Sequence, residues 1–488
     1  MVAELRQRGS RGRRHDRRCK RDCHCVDRRP DPRSVDSWIP DDHRARQNIT
    51  HTALLRIVGQ GSAVTRNQDK LRRLASTSPG LRSLRRPATT NCPEFDLAYT
   101  RTGPPSATPV VVLPGGPGLA SVLPYRRFRR RATARGLDVV MIEHRGIGLS
   151  RTDTTGHDLP RAAVTISAVI GDIAAVLEHE NIDAAVLYGS SYGTYLACGF
   201  GIEHPHSVAG MILDSTVLSA HDHHAVRSHA RSLLWDGQHP DTESSARLLR
   251  DLIAGGTHTK DDTSDVARLT YEFGGPALLQ RFLKQATSGK AQRTWVFVSN
   301  LGRSEIEDEV ATRFWMEFGP VAGIAFTELN YAPPPDGGPF DPATQFISTA
   351  AKYPPFSKEP LDIPAHLPGF RWPTVIITGS RDLRTPRPIA ERAHASIPGS
   401  ILLGIDNGHS ALDTHQLVAL HVIERMAQNQ SNRLTRPSDT QIIRQLAVRG
   451  SATRFLPHII STRLRLENAA EALPRLSRFA LRAPGTRR

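Results

Sequence analysis

Ser191 lies at the centre of the segment of this chain that is richest in chemical information. Residues 189–193 read GSSYG, a G-x-S-x-G pattern, after the apolar run 184–187 and before a helix-forming stretch. A strand, a sharp turn and a helix in that order would lift the serine hydroxyl onto an elbow above a sheet. Gly189 and Gly193 would permit the tight turn. The pattern predicts a nucleophile, although the pentapeptide alone would also fit a plain glycine-rich turn.

A base and an acid follow Ser191 in the order that such a nucleophile requires. A serine hydroxyl attacks only when a base removes its proton, and a histidine base is oriented by a carboxylate. Asp382 and His409 each come just after an apolar run that predicts a strand, and catalytic groups gather at the carboxyl edge of such sheets. We predict Ser191 as nucleophile, Asp382 as acid and His409 as base. Asp406 is the rival acid, but it lies very close to His409 in sequence.

The tetrahedral intermediate of acyl transfer needs hydrogen-bond donors for its negatively charged oxygen. One predicted donor is the backbone N–H of Tyr192, the residue after the nucleophile. The other should come from the loop PGGPG at 114–118, which follows the apolar run 110–113. Glycines let a backbone turn its N–H groups toward a site, so we favour Gly116 for this donor, with Gly115 next.

The elements that would hold these residues follow from hydrophobic periodicity. Apolar runs separated by helical patterns predict a mostly parallel sheet covered by helices on both faces. The residues at 165–180 have the spacing of an amphipathic helix packed on that sheet. Predicted strands lie at 94–99 (at an edge of the sheet), 110–113, 138–142, 184–187, 211–213, 375–377 and 401–403. The α/β fold therefore has a long interruption, which we interpret as an inserted helical cap.

This pattern divides the chain into four parts. We predict a disordered Arg-rich segment at 1–85, a core built from 86–217 and 371–430, a cap at 218–370 and a basic C-terminal extension at 431–488 with short amphipathic helices. The sequence leaves open whether Met1 is the first residue of the translated chain.

The net charge of +16 belongs to the ends of the chain. Residues 1–100 hold 22 Lys and Arg against 11 Asp and Glu, and residues 431–488 hold 12 against 3. The middle, 101–430, therefore has a charge of −4. Such ends are commonly solvated tails, so we expect no specific nucleic-acid partner. The alternative is a salt-sensitive affinity for nucleic acid or anionic lipid.

Cysteine and histidine clusters do not predict a metal centre. Cys19, Cys23 and Cys25 have no second ligand pair at a useful distance, and Cys198 is expected in the core. A histidine group opens the cap, and we interpret it as a solvated loop rather than a zinc site. Its members are His221, His223, His224 and His229. We expect no metal and no cofactor.

No apolar stretch reaches the length of a membrane span, and no apolar region follows the charged N-terminus. The default expectation is a cytoplasmic protein without a membrane-spanning segment. The sequence leaves its oligomeric state open.

Five segments resemble the α/β-hydrolase fold and, within it, the proline iminopeptidase and tripeptidyl aminopeptidase group, peptidase family S33. They are VVVLPGGPG at 110–118, EHRGIGLS at 143–150, YGSSYGTYLA at 188–197, GSRDLRTP at 379–386 and NGHSAL at 407–412. Pro114, Glu143 with His144, and Ser190 depart from the family pattern, which affects substrate preference more than the triad. The resemblance covers about 90–428.

The resemblance implies release of an N-terminal residue, often proline, or of a short peptide. Such enzymes hold the substrate's ammonium group with carboxylates in the cap. Glu328 resembles the family glutamate, and Glu317 is a second candidate because its aromatic neighbours could line a proline pocket. The expected partner is a peptide or another small acyl substrate. An esterase with the same triad remains the main alternative, and a non-catalytic binding protein the lesser one.

Overall fold

A computed structural model describes residues 61–307, 313–448 and 451–472. The cysteine cluster at 19–25 and residues 1–60 and 473–488 of the two predicted tails lie outside these residues. One eight-stranded sheet organises the described part of the chain. Its strands are β1 (Leu81–Arg86), β2 (Phe95–Thr102), β3 (Val110–Leu113), β4 (Val139–Ile142), β5 (Ala185–Ser190), β6 (Val208–Asp214), β7 (Thr374–Gly379) and β8 (Ile401–Ile405).

The strands lie in the order β1-β2-β4-β3-β5-β6-β7-β8. β1 and β2 pair antiparallel, β2 also pairs antiparallel with β4, and all later pairs are parallel. This arrangement confirms the predicted mostly parallel sheet. Its register brings the functional loops together, because Leu113 pairs with Gly189 and Gly379 pairs with Ile405. The predicted oxyanion loop thus begins beside the elbow, and the Asp382 loop begins beside the His409 loop.

Helices cover both faces of the sheet and fill the long interval between β6 and β7. They are α1 (Gly61–Ser76), α2 (Arg126–Thr133), α3 (Ile166–His179), α4 (Tyr192–Glu203), α5 (His223–Leu234), α6 (Glu243–Ala254), α7 (Lys260–Thr287), α8 (Gln292–Glu307), α9 (Phe318–Gly323), α10 (Ile347–Ala350), α11 (Ile363–His366), α12 (Arg387–Ser396), α13 (Ala411–Thr414), α14 (Gln416–Ala427), α15 (Pro437–Gln445) and α16 (Ser451–Ala472). A π-helical turn occupies Ile324–Glu328. Short 3-10 turns lie at Gly148–Ser150, Arg161–Ala163, Pro205–Ser207, Pro342–Gln345, Leu367–Gly369 and Ser431–Thr435.

Alternate residues of the central strands point into two apolar layers, because successive side chains of a strand face opposite sides of the sheet. Val111 packs with α3 and α4 on one face, whereas Val110 and Val112 pack with α2 and α14 on the other. Both faces of β3 are buried, which explains why it reads as an unbroken apolar run.

The C-terminal region is part of the folded body over its described residues. Leu456, Ile460 and Leu464 of α16 are buried in an apolar cluster with cap residues such as Leu279 and Phe282. This corrects the prediction of a solvated tail for 451–472, because a buried stripe recurring every four residues packs against α7 and α8 of the cap. α15 likewise contributes Ile443 to one of the sheet layers.

The N-terminal boundary also needs correction. Residues 61–85 were predicted to be disordered, but they hold α1 and most of β1. β1 is the edge strand, so β2, predicted at an edge, lies inside the sheet. The Arg-rich β1 is stabilised by pairing with β2, where Arg85 bonds Asp96 across the two strands at 2.7 Å. Among the described residues, no helix combines the length and apolar character of a membrane crossing.

Candidate active site

Ser191 lies on a sharp turn between β5 and α4, as predicted. Its backbone has φ 53° and ψ −121°, a left-handed φ that a side chain rarely adopts. The flanking glycines are required by close contacts. A Cβ on Gly189 would lie 2.3 Å from the carbonyl oxygen of Gly193, and a Cβ on Gly193 would lie 2.0 Å from that of Leu113. The local sequence therefore enforces a strained elbow that holds the hydroxyl above the sheet.

His409 and Asp382 form a hydrogen-bonded pair in neighbouring strand-end loops. His409 Nδ1 lies 3.1 and 3.0 Å from the two carboxylate oxygens of Asp382, which leaves Nε2 for proton exchange with a nucleophile. Burial acts to lower the pKa of His409, but the charge of Asp382 and this hydrogen bond hold the pKa above 6.5. Burial acts to raise the pKa of Asp382, yet His409 and several hydrogen bonds lower it to about 2. A carboxylate that stays ionised can orient and stabilise an imidazolium.

Thr385, which the sequence analysis did not single out, fixes the Asp382 carboxylate. Its hydroxyl donates to Oδ2 and its backbone N–H donates to Oδ1, both at 2.9 Å. A threonine three residues after the acid is a weak signal for such a turn. The rival Asp406 is highly exposed and pairs with Arg381 instead of His409. The contacts thus support Asp382 as the acid.

The glycine loop after β3 lies against Ser191. A Cβ on Gly115 would lie 3.0 Å from Ser191 Cβ and 3.7 Å from Ser191 Oγ. Gly116 has φ 120°, and its carbonyl accepts a 3.3 Å bond from the Tyr331 hydroxyl of the cap. Tyr192 begins α4, where the first N–H groups lack partners within the helix. These positions suit the two predicted donors, and Gly115 is the glycine in direct contact with Ser191.

A buried clamp holds the chain that follows this loop. Glu143 accepts bonds from the N–H groups of Ser121, at 2.5 Å, and Val122, at 3.0 Å. Arg129 donates to the carbonyls of the same two residues, at 2.7 and 2.5 Å. Both backbone polar groups of each residue are therefore engaged by buried charges. Glu143, a departure from the family pattern, serves here to support the loop.

Glu317 is fully buried and already neutralised. One carboxylate oxygen accepts from Arg151 at 2.8 Å, and the other from the N–H groups of Gly148, at 2.9 Å, and Phe314, at 2.8 Å. Its own N–H bonds the carbonyl of Gly118. These contacts oppose the predicted role in binding a substrate ammonium group. Glu317 instead joins the cap to the glycine loop at 114–118 and to the loop at 145–148.

Glu328 has a different environment and only one of its carboxylate oxygens bonded among the described residues. Its Oε2 accepts a 2.8 Å bond from the N–H of Ile166, and Oε1 has no hydrogen bond among the described residues. Burial raises the pKa of Glu328. Burial and then the charge of Glu328 raise the pKa of the buried Tyr192 hydroxyl. This hydroxyl lies 3.2 Å from His144 Nε2.

The cap also rests on the loops that hold the acid and the base. Glu272 of α7 is buried and accepts a 3.2 Å bond from the N–H of Leu383, the residue after Asp382. A Cβ on Gly408, the residue before His409, would lie 2.8 Å from the Glu272 carbonyl oxygen. This contact could not be predicted from the sequence, because Glu272 lies more than 100 residues from either loop.

The histidine group at the start of the cap includes two neighbours whose rings lie close together. His223 and His224 have ring centroids 4.1 Å apart, but no group of three potential ligands suited to a metal occurs in the described residues. Cys198 is fully buried in the core, as predicted. Two open cavities, about 500 and 330 Å³, are lined by cap residues around Arg231 and Trp295, and neither includes a residue of the predicted triad.

The fold and a sequence comparison define the class of this protein. Residues 108–237 match the family model of the alpha/beta hydrolase fold. This span includes the glycine loop and the elbow. Together with the sheet, the match shows that the chain has the α/β-hydrolase fold.

Within this class the chain resembles proline iminopeptidases. A probable proline iminopeptidase of Leptolyngbya boryana is 32% identical over 117 residues, which are 24% of this chain and 34% of that protein. The proline iminopeptidase of Arabidopsis thaliana is also 32% identical over 117 residues, which are 24% of this chain and 29% of that protein. The chain thus spans about a third of the length of these relatives.

Similar solved structures include the proline iminopeptidase of Mycobacterium smegmatis, with a TM-score of 0.42, 16% identity and coverage of 72% of this chain and 99% of that one. An esterase from Thermogutta terrifontis has a TM-score of 0.41, 17% identity and coverage of 72% and 99%. Neither likeness bears on the substrate.

Proposed function

We propose that this chain is a serine hydrolase of the aminopeptidase type that releases an N-terminal residue, with proline preferred, or a short peptide. The observation that carries the catalytic part is the pair of His409 and Asp382 in strand-end loops beside the strained Ser191 elbow. A histidine with its Nδ1 fixed by an ionised carboxylate is the arrangement that activates a serine.

The reaction has two halves that use the same groups. His409 Nε2 takes the proton of Ser191 as its oxygen attacks the scissile carbonyl, and the N–H of Tyr192 with that of Gly116 or Gly115 stabilises the oxyanion. The C–N bond then breaks, and His409 gives the proton to the leaving amine. A water molecule, deprotonated by His409, attacks the acyl-enzyme, and the proton returns to Ser191 as the acid product leaves.

Glu328 supports the choice of a free-amine substrate. One of its oxygens is left without a hydrogen bond among the described residues, and its charge raises the pKa of the Tyr192 hydroxyl, so a substrate ammonium group would supply the missing charge partner. An apolar cluster nearby includes Phe318, Phe326 and Tyr331, and Tyr331 bonds the Gly116 carbonyl. Such a wall suits a proline ring or another small apolar residue.

An esterase is the second candidate, and the contacts of Glu317 favour it. The sequence offered two carboxylates for the ammonium group, but Glu317 is engaged by Arg151. Only Glu328 remains of that pair. A single carboxylate gives less discrimination in favour of a charged amine than two would.

A matched substrate panel tests the proposal. Prolyl, alanyl and tripeptidyl arylamides would be compared with their N-acetylated forms and with p-nitrophenyl esters. We expect free-amine arylamides to exceed the acetylated forms in kcat/KM by at least about 10-fold, since a hydrogen bond to a charged group contributes about 1.5–3 kcal/mol. Equal rates for free and acetylated forms, with rapid ester turnover, would favour the esterase.

A further inference from the structure

The residues next to the predicted nucleophile and base touch each other. Ser190 precedes Ser191, Ser410 follows His409, and their hydroxyl oxygens are 2.8 Å apart. Both side chains are buried, with 0% and 1% exposure. The bond spans 220 residues of sequence and joins two loops that the triad requires to be in register.

The donor and the acceptor in the hydrogen bond between Ser190 and Ser410 can be assigned from the other bonds of Ser410. Ser410 Oγ donates to Asp413 Oδ2 at 2.6 Å and accepts a 3.2 Å bond from the Asp413 N–H. An ionised carboxylate can only accept, and a hydroxyl has one proton to give. Ser190 must therefore be the donor to Ser410. This series of hydrogen bonds ends at Asp413, which also accepts a 2.5 Å bond from the Tyr125 hydroxyl.

The backbone is strained in the same loops, so neighbouring contacts are needed to hold these residues in place. Ser191 and Ser410 have φ values of 53° and 61°, and Ser215 beside them has 59°. Such conformations cost about 1–3 kcal/mol each and persist only where neighbouring contacts hold them. The N–H of Ser410 donates to Ser215 Oγ at 2.8 Å, and the N–H of Ser215 donates to the Ile377 carbonyl at 3.0 Å. Hydrogen bonds from neighbouring strands thus hold the strained positions.

We propose that Ser190 and Ser410 are positioning residues whose mutual hydrogen bond sets the separation of the Ser191 hydroxyl from the His409 ring. The proposal rests on the proposed function, because it takes Ser191 and His409 as nucleophile and base. Without this bond the two loops lose their direct link behind the triad. A displacement of about 1 Å at reacting groups costs about 100-fold in rate.

The test measures activation of the nucleophile without depending on the natural substrate. The second-order rate constant for inactivation by an alkyl fluorophosphonate would be compared for the wild type, Ser190→Ala, Ser410→Ala and the double variant. We expect this rate constant to be about 10- to 100-fold lower in each single variant than in the wild type. Ser410→Ala also removes two bonds to Asp413, so it should be the slower single variant, and the double variant should react no more slowly than it because both changes remove the same Ser190–Ser410 bond.

Controls separate positioning from folding. Ser150→Ala is the matched variant, since Ser150 is also fully buried and its hydroxyl accepts one bond, from the Ala98 N–H at 2.9 Å. It should leave the inactivation rate unchanged. With an activated ester, Ser190→Ala should lower kcat while KM stays constant, whereas a loosened pocket would raise KM. Thermal unfolding would be recorded for every variant.

Two results would overturn the proposal. One is a Ser190→Ala variant that reacts at the wild-type rate, and the other is a double variant with multiplied losses. Either result would leave the assignment of Ser191, Asp382 and His409 as the triad unaffected, provided that the wild type is labelled at Ser191. Failure of the wild type to be labelled there would overturn the proposed function, and the positioning role with it.

Discussion

The strand-end loops of the core and the helices of the cap use their buried charges in different ways. In the core, Asp382 holds His409 in one orientation, and both lie beside a strained serine. In the cap, Glu317 pairs with Arg151 and Asp341 pairs with Arg227. The strand-end pair thus lies at the predicted catalytic centre, whereas these cap pairs hold loops together, as Glu143 and Arg129 also do in the core.

Two glutamates of the cap make this difference measurable. Glu317 has both oxygens engaged by internal donors, while Glu328 has one oxygen bonded to the Ile166 N–H. They lie eleven positions apart in sequence, and the sequence analysis offered Glu328 as the first and Glu317 as the second candidate for a substrate ammonium group. Only the partners distinguish a carboxylate that holds the structure from one that is open to a ligand.

The largest effect should come from the core. Ser191→Ala removes the nucleophile, and we expect kcat for an activated ester to fall about 10⁵- to 10⁶-fold. Superposable unfolding curves would show that the fold is intact. Turnover within 10-fold of the wild type would break the assignment of the elbow as the chemical centre.

Asp382→Asn tests the orienting acid. An asparagine favours the wrong tautomer of His409, so we expect a loss of about 10³- to 10⁴-fold in kcat near neutral pH. His409 acts as a base only when neutral, so wild-type activity should rise with pH through its raised pKa. Without the Asp382 charge this rise should move to lower pH. An unmoved pH profile would contradict the role of Asp382.

Glu317→Gln should act on stability. The change removes a buried charge-assisted bond, although Arg151 keeps its ion pair with Asp158, so the free energy of unfolding should fall by about 1.5–3 kcal/mol. Denaturant unfolding would measure this loss. A variant with wild-type stability and a raised KM only for free-amine substrates would restore Glu317 as an ammonium-binding residue.

Glu328→Gln should have the smallest effect and act on substrate choice. The amide oxygen can still accept the Ile166 bond, so stability should change by less than about 1 kcal/mol. The lost charge should lower kcat/KM for free-amine arylamides about 10- to 100-fold and spare simple esters. Kinetics on both substrate types would decide, and equal losses on both would argue against ammonium binding.

The core was predictable because its signals are local. Val110–Leu113 was predicted with its observed bounds, since a strand buried on both faces is apolar at every position. Asp382 and His409 could be singled out because each follows an apolar run that predicted a strand, although the strand before His409 is only partly buried. β1 was missed because its sequence, LRSLRR, lacks an apolar run and is held by pairing with β2.

The cap was harder to predict because its contacts join distant residues. Glu317 and Arg151 are 166 positions apart, so the sequence around Glu317 showed aromatic neighbours and no partner. Short amphipathic helices were predicted in the C-terminal extension, but the packing of α16 was missed for the same reason, since its apolar stripe lies on cap helices far upstream. The hydrogen bond between Ser190 and Ser410 also could not be predicted from the sequence around either residue.

The most direct measurement of the central claim is the site at which an alkyl fluorophosphonate modifies the full-length chain. Peptide mapping by mass spectrometry should find one phosphonyl group per chain, on Ser191, and neither Ser191→Ala nor His409→Ala should be labelled at a comparable rate. Label on another serine, or ester turnover that continues with Ser191 unmodified, would contradict the account.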